Sequence, residues 1–180
     1  FRRSRGLGDV YKRQRQALID PLTGFGNRQD ALRALDSTLK HAQKRGGAAC
    51  MLLMRLEDFE QQQRQRGNKV MQQGVLAFSR RLRQSVRPMD HLCRLQQDHF
   101  ALITHQPHLS HCDPTSFRRL YDSLNHRAYQ TAAGFLSLQV SIALTASAGG
   151  NSADGMLEQA TLDLEQALAE KRIVSSAASA

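Results

Sequence analysis

The sequence predicts an α+β domain in which a mixed sheet is covered by helices. Three observations predict it: an apolar run at 48–54 bounded by glycines, strict apolar alternation at 136–145, and amphipathic stretches of helical period between them and at both ends. No internal repeat interrupts the order.

Leu32, Leu35, Leu39 and Ala42 recur at helical spacing, with Asn27 placed to cap and Gly46-Gly47 to stop the helix. The run AACMLLM at 48–54 is short and wholly apolar, which suits a strand buried on both faces in mid-sheet. After a glutamine-rich stretch, Met71, Val75, Phe78 and Leu82 mark a second long helix, which Arg87-Pro88 must end because proline disfavours helix in its predecessor. HLCRL at 91–95 and HFALIT at 99–104 read as a hairpin with Gln96, Gln97 and Asp98 at an exposed tip. Asp113-Pro114 caps and starts a helix carrying Phe117, Leu120, Tyr121 and Leu124. Leu136, Leu138, Val140, Ile142 and Leu144 alternate as in a strand with one buried face. Leu157, Ala160, Leu164 and Ala167 form the last helix.

The chain has 180 residues, 41% hydrophobic and 23% charged, enough for one domain with a real core. No segment approaches the roughly 20 apolar residues of a membrane span, so a cytoplasmic protein is expected. Three cysteines, Cys50, Cys93 and Cys112, share no CxxC spacing and read as reduced thiols. The net charge of +9 is unevenly placed: residues 1–15 hold six cations and one anion, leaving 19 basic and 15 acidic residues elsewhere. Residues 1–15 are read as a basic linker or a translated adapter scar and set apart from the fold, and with them goes the case for nucleic-acid binding. The domain proper is placed at 16–174, followed by a disordered tail at 175–180.

DPLTGFGNR at 20–28, followed by an amphipathic helix, resembles the DxLTGLxNR opening of GGDEF domains, the diguanylate cyclase family. The resemblance runs in register through the buried strand, Phe59, Gly67, Leu76, RPMDHLCRLQQDHF at 87–100 and the SxA strand at 141–143, covering 17–174. It implies a palm-like, nucleotide-cyclase fold with a mainly antiparallel sheet. The activity it implies joins two GTP molecules into cyclic di-GMP with magnesium, a phosphoryl transfer in which carboxylates hold metal and the protein positions phosphates.

Against that family pattern the signature GG(D/E)EF reads QQDHF, keeping only Asp98 and Phe100. The metal-holding aspartate at the strand end is matched by Arg55, and the signature's second acidic residue by His99. Guanine-binding asparagine and aspartate are matched by Gln63 and Gln72, and Gln96 and Gln97 replace glycines that approach phosphate. One carboxylate cannot hold two magnesium ions. The family's inhibitory product site, an RxxD, is matched by Arg87 and Asp90, with five residues between Asp90 and Gln96. Its arginine fork suits the O6 and N7 edge of guanine and its aspartate the N1 and N2 hydrogens, with Arg118 or Arg119 as a further cation.

The expectation is therefore a catalytically inactive regulatory domain in cyclic di-GMP signalling, without cofactor, that binds cyclic di-GMP through Arg87 and Asp90 or serves as a homodimerising or partner-contact module beside an EAL or sensor domain. The alternatives are an active cyclase, which would need magnesium, and a GTP-binding regulator of an adjacent EAL phosphodiesterase. His105, His108, His111 and Cys112 form HxxHxxHC, but Pro107 breaks helical spacing and no second ligand pair is in view, so no metal is expected there.

Overall fold

The computed structural model describes residues 2–177. Its chain order is α1 (Arg2–Gln16), α2 (Arg28–Arg45), β1 (Ala48–Leu56), α3 (Phe59–Arg66), α4 (Asn68–Ser85), β2 (His91–Gln96), β3 (His99–Gln106), α5 (Arg118–Asn125), β4 (Tyr129–Thr131), β5 (Gly134–Leu136), β6 (Val140–Ser147), α6 (Ala153–Glu170) and β7 (Val174–Ala177). Five strands form one sheet in the order β2-β3-β1-β6-β7, and β4 and β5 pair separately. The fold is the expected α+β sheet flanked by helices.

β1 lies at the centre, antiparallel to β3 and β6, and is buried on both faces except at Arg55. Its alternation sorts two cores. Cys50, Leu52, Met54 and Leu56 pack with Phe78, Phe100, Leu124 and Tyr129 on the side of α4 and α5. Ala49, Met51 and Leu53 pack with Leu35 and Leu39 of α2 and Met156, Ala160 and Leu164 of α6. All three cysteines are free and buried.

Local chemistry sets the ends of these elements. Asn27 accepts the backbone N–H of Asp30 at 3.1 Å, a cap that stabilises α2 by about 1 kcal/mol. Gly47, at φ 81, lies where an added Cβ would fall 2.3 Å from the Gln106 carbonyl oxygen, so only glycine lets the chain enter β1 here. Arg81 ties α4 to the end of α5: its guanidinium donates to the carbonyls of Ser123, Arg127 and Ala128 and stacks 3.6 Å from the centre of the Tyr129 ring. The Tyr129 hydroxyl donates to the Leu124 carbonyl at 2.7 Å, and burial pushes its pKa up to about 12, against the opposing influence of Arg81.

Four expectations need correction. The alternating segment is not one strand: β5 ends at Leu136, residues 137–139 cross over, and β6 starts at Val140. β6 is also buried on both faces, because α6 covers its second side and small Ser141 and Ala143 fit beneath that helix. The helix after Asp113 opens as a 3₁₀ turn at Pro114–Phe117 before α5; the expected cap is present, with Asp113 accepting from Ser116 at 3.0 Å. Finally, residues 175–177 are not a free tail but pair as β7, parallel to β6, which satisfies backbone groups that side chains alone could not; residues 178–180 lie outside the described residues. Of residues 1–15, set apart from the fold on their sequence, 2–15 lie in α1 with Val10 and Tyr11 exposed, and among the described residues the core begins only at Ala31.

Candidate functional site

The end of β1 and the tip of the β2–β3 hairpin come together because β1 and β3 pair with Arg55 opposite His99. The Leu56 N–H donates to the Asp98 carbonyl at 2.8 Å and closes the corner. By alternation Arg55 stands on the α6 face. Its Nε donates to Glu57 Oε1 at 2.9 Å and one terminal nitrogen donates to Glu165 Oε1 of α6, also at 2.9 Å. Burial disfavours the Arg55 charge, but Glu57 and Glu165 outweigh it and hold its pKa above the ordinary value. The site is thus filled by an internal cation with two carboxylates turned toward it.

At the tip, Asp98 Oδ1 lies 2.8 Å from His99 Nδ1. Burial pushes the Asp98 carboxyl up, yet the hydrogen bond and charge of His99, with Arg55 beyond, hold it below its usual range. The tip is Gln97 and Asp98, with Gln96 the last residue of β2, and the pairing register shifts between Arg94 and Gln96. Neither glutamine takes positive φ, so the turn is of another kind from one built on paired glycines. Gln63 is half-buried and Gln72 exposed. It is Gln62 that lines the neighbouring cavity of about 470 Å³, with Glu57, Asp58, Tyr121, Asn125 and Lys171.

Arg87 and Asp90 form a compact unit on the other side of the hairpin. Asp90 is buried; its Oδ2 accepts the Arg87 N–H at 3.0 Å and its Oδ1 accepts the Thr104 hydroxyl at 2.8 Å. The Arg87 guanidinium donates to the same Thr104 oxygen at 2.6 Å and pairs with Asp90 at 3.3 Å, with about half its side chain left exposed. A groove of about 460 Å³ runs past them, lined also by Gln106, Ser116 and Arg119. Arg119 is therefore the nearby arginine, whereas Arg118 faces a different cavity with Lys171 and Arg172.

Sequence reasoning missed Glu165 and Thr104. Thr104 was recoverable from the hairpin register, which pairs His91 with Ile103 and sets Thr104 beside the strand's start. Glu165 carries no local signal, since α6 reaches the site only through the fold. The HxxHxxHC residues do not converge: His105 bonds the Gly46 carbonyl at 2.9 Å, His108 and His111 meet edge to face, and Cys112 is buried.

The family model described as "Diguanylate cyclase, GGDEF domain" matches residues 17–173. The chain belongs to the GGDEF domain family. Within it, diguanylate cyclase DgcS of Shewanella oneidensis is 29% identical over 159 residues, 87% of this chain and 51% of that protein, so the chain spans about half the length of this curated relative. Among solved structures, the coiled coil and GGDEF domain of DgcB from Caulobacter crescentus, in complex with c-di-GMP, superposes with a TM-score of 0.82 at 18% identity, covering 96% of this chain and 93% of that one. Diguanylate cyclase SiaD from Pseudomonas aeruginosa, in complex with its activator SiaC, gives 0.78 at 22%, covering 97% and 72%. The family match bears out the setting of cyclic di-GMP signalling, the solved structures bear out the fold, and no helix among the described residues is long and apolar enough to cross a membrane.

Proposed function

We propose that this chain is a catalytically silent GGDEF domain that regulates rather than synthesises, responding to cyclic di-GMP through the groove at Arg87, Asp90 and Arg119. The observation that carries the silence is the Arg55 guanidinium held by Glu57 and Glu165. Magnesium requires several oxygen ligands free to face it. Here Glu57 is turned to Arg55 and Asp98 to His99, and Arg55 adds a positive charge, so the residues present do not fit a pair of divalent ions. No catalytic step follows from them.

The groove supports the second half of the reading. The half-exposed Arg87 fork and Arg119 offer planar donors for guanine edges and phosphate, and Asp90 anchors Arg87 while remaining within reach of the groove. Such a domain acts from the cytoplasmic side beside a sensor or EAL domain, or as a homodimer.

Calorimetry with cyclic di-GMP, beside GTP and the Arg87→Ala variant, tests the reading together with a magnesium–GTP turnover assay. The expected result is micromolar binding of cyclic di-GMP that Arg87→Ala weakens at least tenfold, with no product from GTP. Cyclic dinucleotide formation by the unaltered chain overturns the silence, and absence of heat with cyclic di-GMP overturns the receptor role and leaves protein contact.

A further inference from the structure

On the face of the sheet away from the Arg87 groove, three different metal-ligating groups converge. α2 contributes Asp30 from its first turn, and β2 contributes His91 and Cys93, which alternation places on one side of the strand. One ligand atom from each lies within 4.8 Å of the others, and this is the one such cluster among the described residues. Asp30 and Cys93 are buried, while His91 is partly exposed. We propose that Asp30, His91 and Cys93 form a zinc site that clamps the start of α2 to the edge strand β2.

The surrounding groups hold the three ligands in place. Asp30 Oδ2 already lies 2.6 Å from His91 Nε2, and Arg33 holds the other oxygen, Oδ1, at 2.7 Å. A carboxylate oriented in this way by an outer partner is the usual support for a metal ligand. Gly26 makes the space: a Cβ there would lie 2.0 Å from Asp30 Oδ2. Its backbone is fastened to β2, with the Gly26 N–H donating to Leu92 and the Gly26 carbonyl accepting from Arg94, on either side of Cys93. The loop, the helix and the strand are thus fixed around the cluster.

Carboxylate oxygen, imidazole nitrogen and thiolate sulfur together match zinc, whose bonds run about 2.0–2.2 Å to oxygen and nitrogen and about 2.3 Å to sulfur. In a tetrahedral site those bonds place ligand atoms roughly 3.3–3.6 Å apart, so Asp30 and His91 must part by about an ångström while the sulfur draws in. Three protein ligands leave the fourth position to water, and a cavity of about 390 Å³ lined by Gly26, Asp30, Arg33 and His91 opens there. Binding releases the Cys93 thiol proton to solvent and takes the lone pair of His91 Nε2, with the imidazole hydrogen kept on Nδ1; no atom changes oxidation state.

The proposal is independent of the cyclic di-GMP reading. Zinc chloride titrated into the full chain against a chromophoric chelator is expected to give one tight ion per chain. His91→Gln and Cys93→Ser should each weaken uptake at least tenfold, and the His108→Gln/His111→Gln double variant should leave it unchanged. Far-UV circular dichroism checks that each variant is folded; His91→Gln, at a partly exposed site, serves if Cys93→Ser is not. With cobalt in place of zinc, a thiolate-to-metal charge-transfer band is expected in the unaltered chain and absent from Cys93→Ser. Failure to take up zinc, uptake retained in His91→Gln, or uptake lost in the His108/His111 variant overturns the proposal.

Discussion

Arg55 and Glu165 meet at 2.9 Å although 110 positions separate them in the chain. The pair fastens α6 to the end of the central strand, and it occupies the corner where the GGDEF signature segment folds back. The two carboxylates on this guanidinium are unequal, however: the Glu57 side chain is 10% exposed and that of Glu165 74%.

That inequality orders the stability of three variants. Glu165→Gln is expected to cost about 0–0.5 kcal/mol, as exposed ion pairs do. Glu57→Gln, at a mostly desolvated pair, should cost about 1–3 kcal/mol. Arg55→Ala should cost at least as much, since it leaves the Glu57 charge without its partner. Urea unfolding of the three variants checks the order; equal losses for Glu57→Gln and Glu165→Gln would contradict the geometry.

Asp98 predicts a pH dependence. Its folded pKa lies below the ordinary 3.8, chiefly because His99 and Arg55 favour the carboxylate more than burial opposes it. A depressed carboxyl contributes stability that is complete above the unfolded value and is lost as the pH falls through the folded one. The urea midpoint should therefore decline below about pH 4, and Asp98→Asn should decline less over the same interval. An Asp98→Asn profile parallel to that of the unaltered chain would count against this pairing.

Arg81 and Tyr129 should behave as a coupled pair. Tyr129→Phe loses the bond to the buried Leu124 carbonyl and is expected to cost about 1–3 kcal/mol. Arg81→Leu removes three carbonyl contacts and the stacked charge, with a cost of about 2 kcal/mol. Because the guanidinium lies on the Tyr129 ring, a double-mutant cycle should return an interaction energy above about 0.5 kcal/mol.

Most of the sheet was legible in the sequence because its strands announce themselves by composition. Ala48 to Met54 read as a doubly buried strand and lies at the centre, and the 91–104 hairpin forms where its two apolar runs placed it. β4 and β7 escaped notice: each has three or four residues, and Val174 to Ala177 carries no apolar alternation, since its order comes from pairing with β6. The same limit governs the sites. Arg55, Asp98 and His99 were found by register with a family motif, but Glu165 arrives from a helix whose surface residues follow no pattern. Asp30 with His91 and Cys93 was invisible for the same reason, the loop through Gly26 being what brings α2 against β2.

The central position of β1 also shapes how the chain is made. Leu52 finds its two neighbours only at Leu102 and Leu144, far later in synthesis. At about 5–20 residues per second, the roughly 90 residues from Leu52 to Leu144 take on the order of 5–20 s to emerge. For that interval AACMLLM is an apolar ribbon with unpaired edges outside the ribosome. The segment that becomes the least accessible in the folded domain is thus the one most in need of a chaperone while the domain is being born.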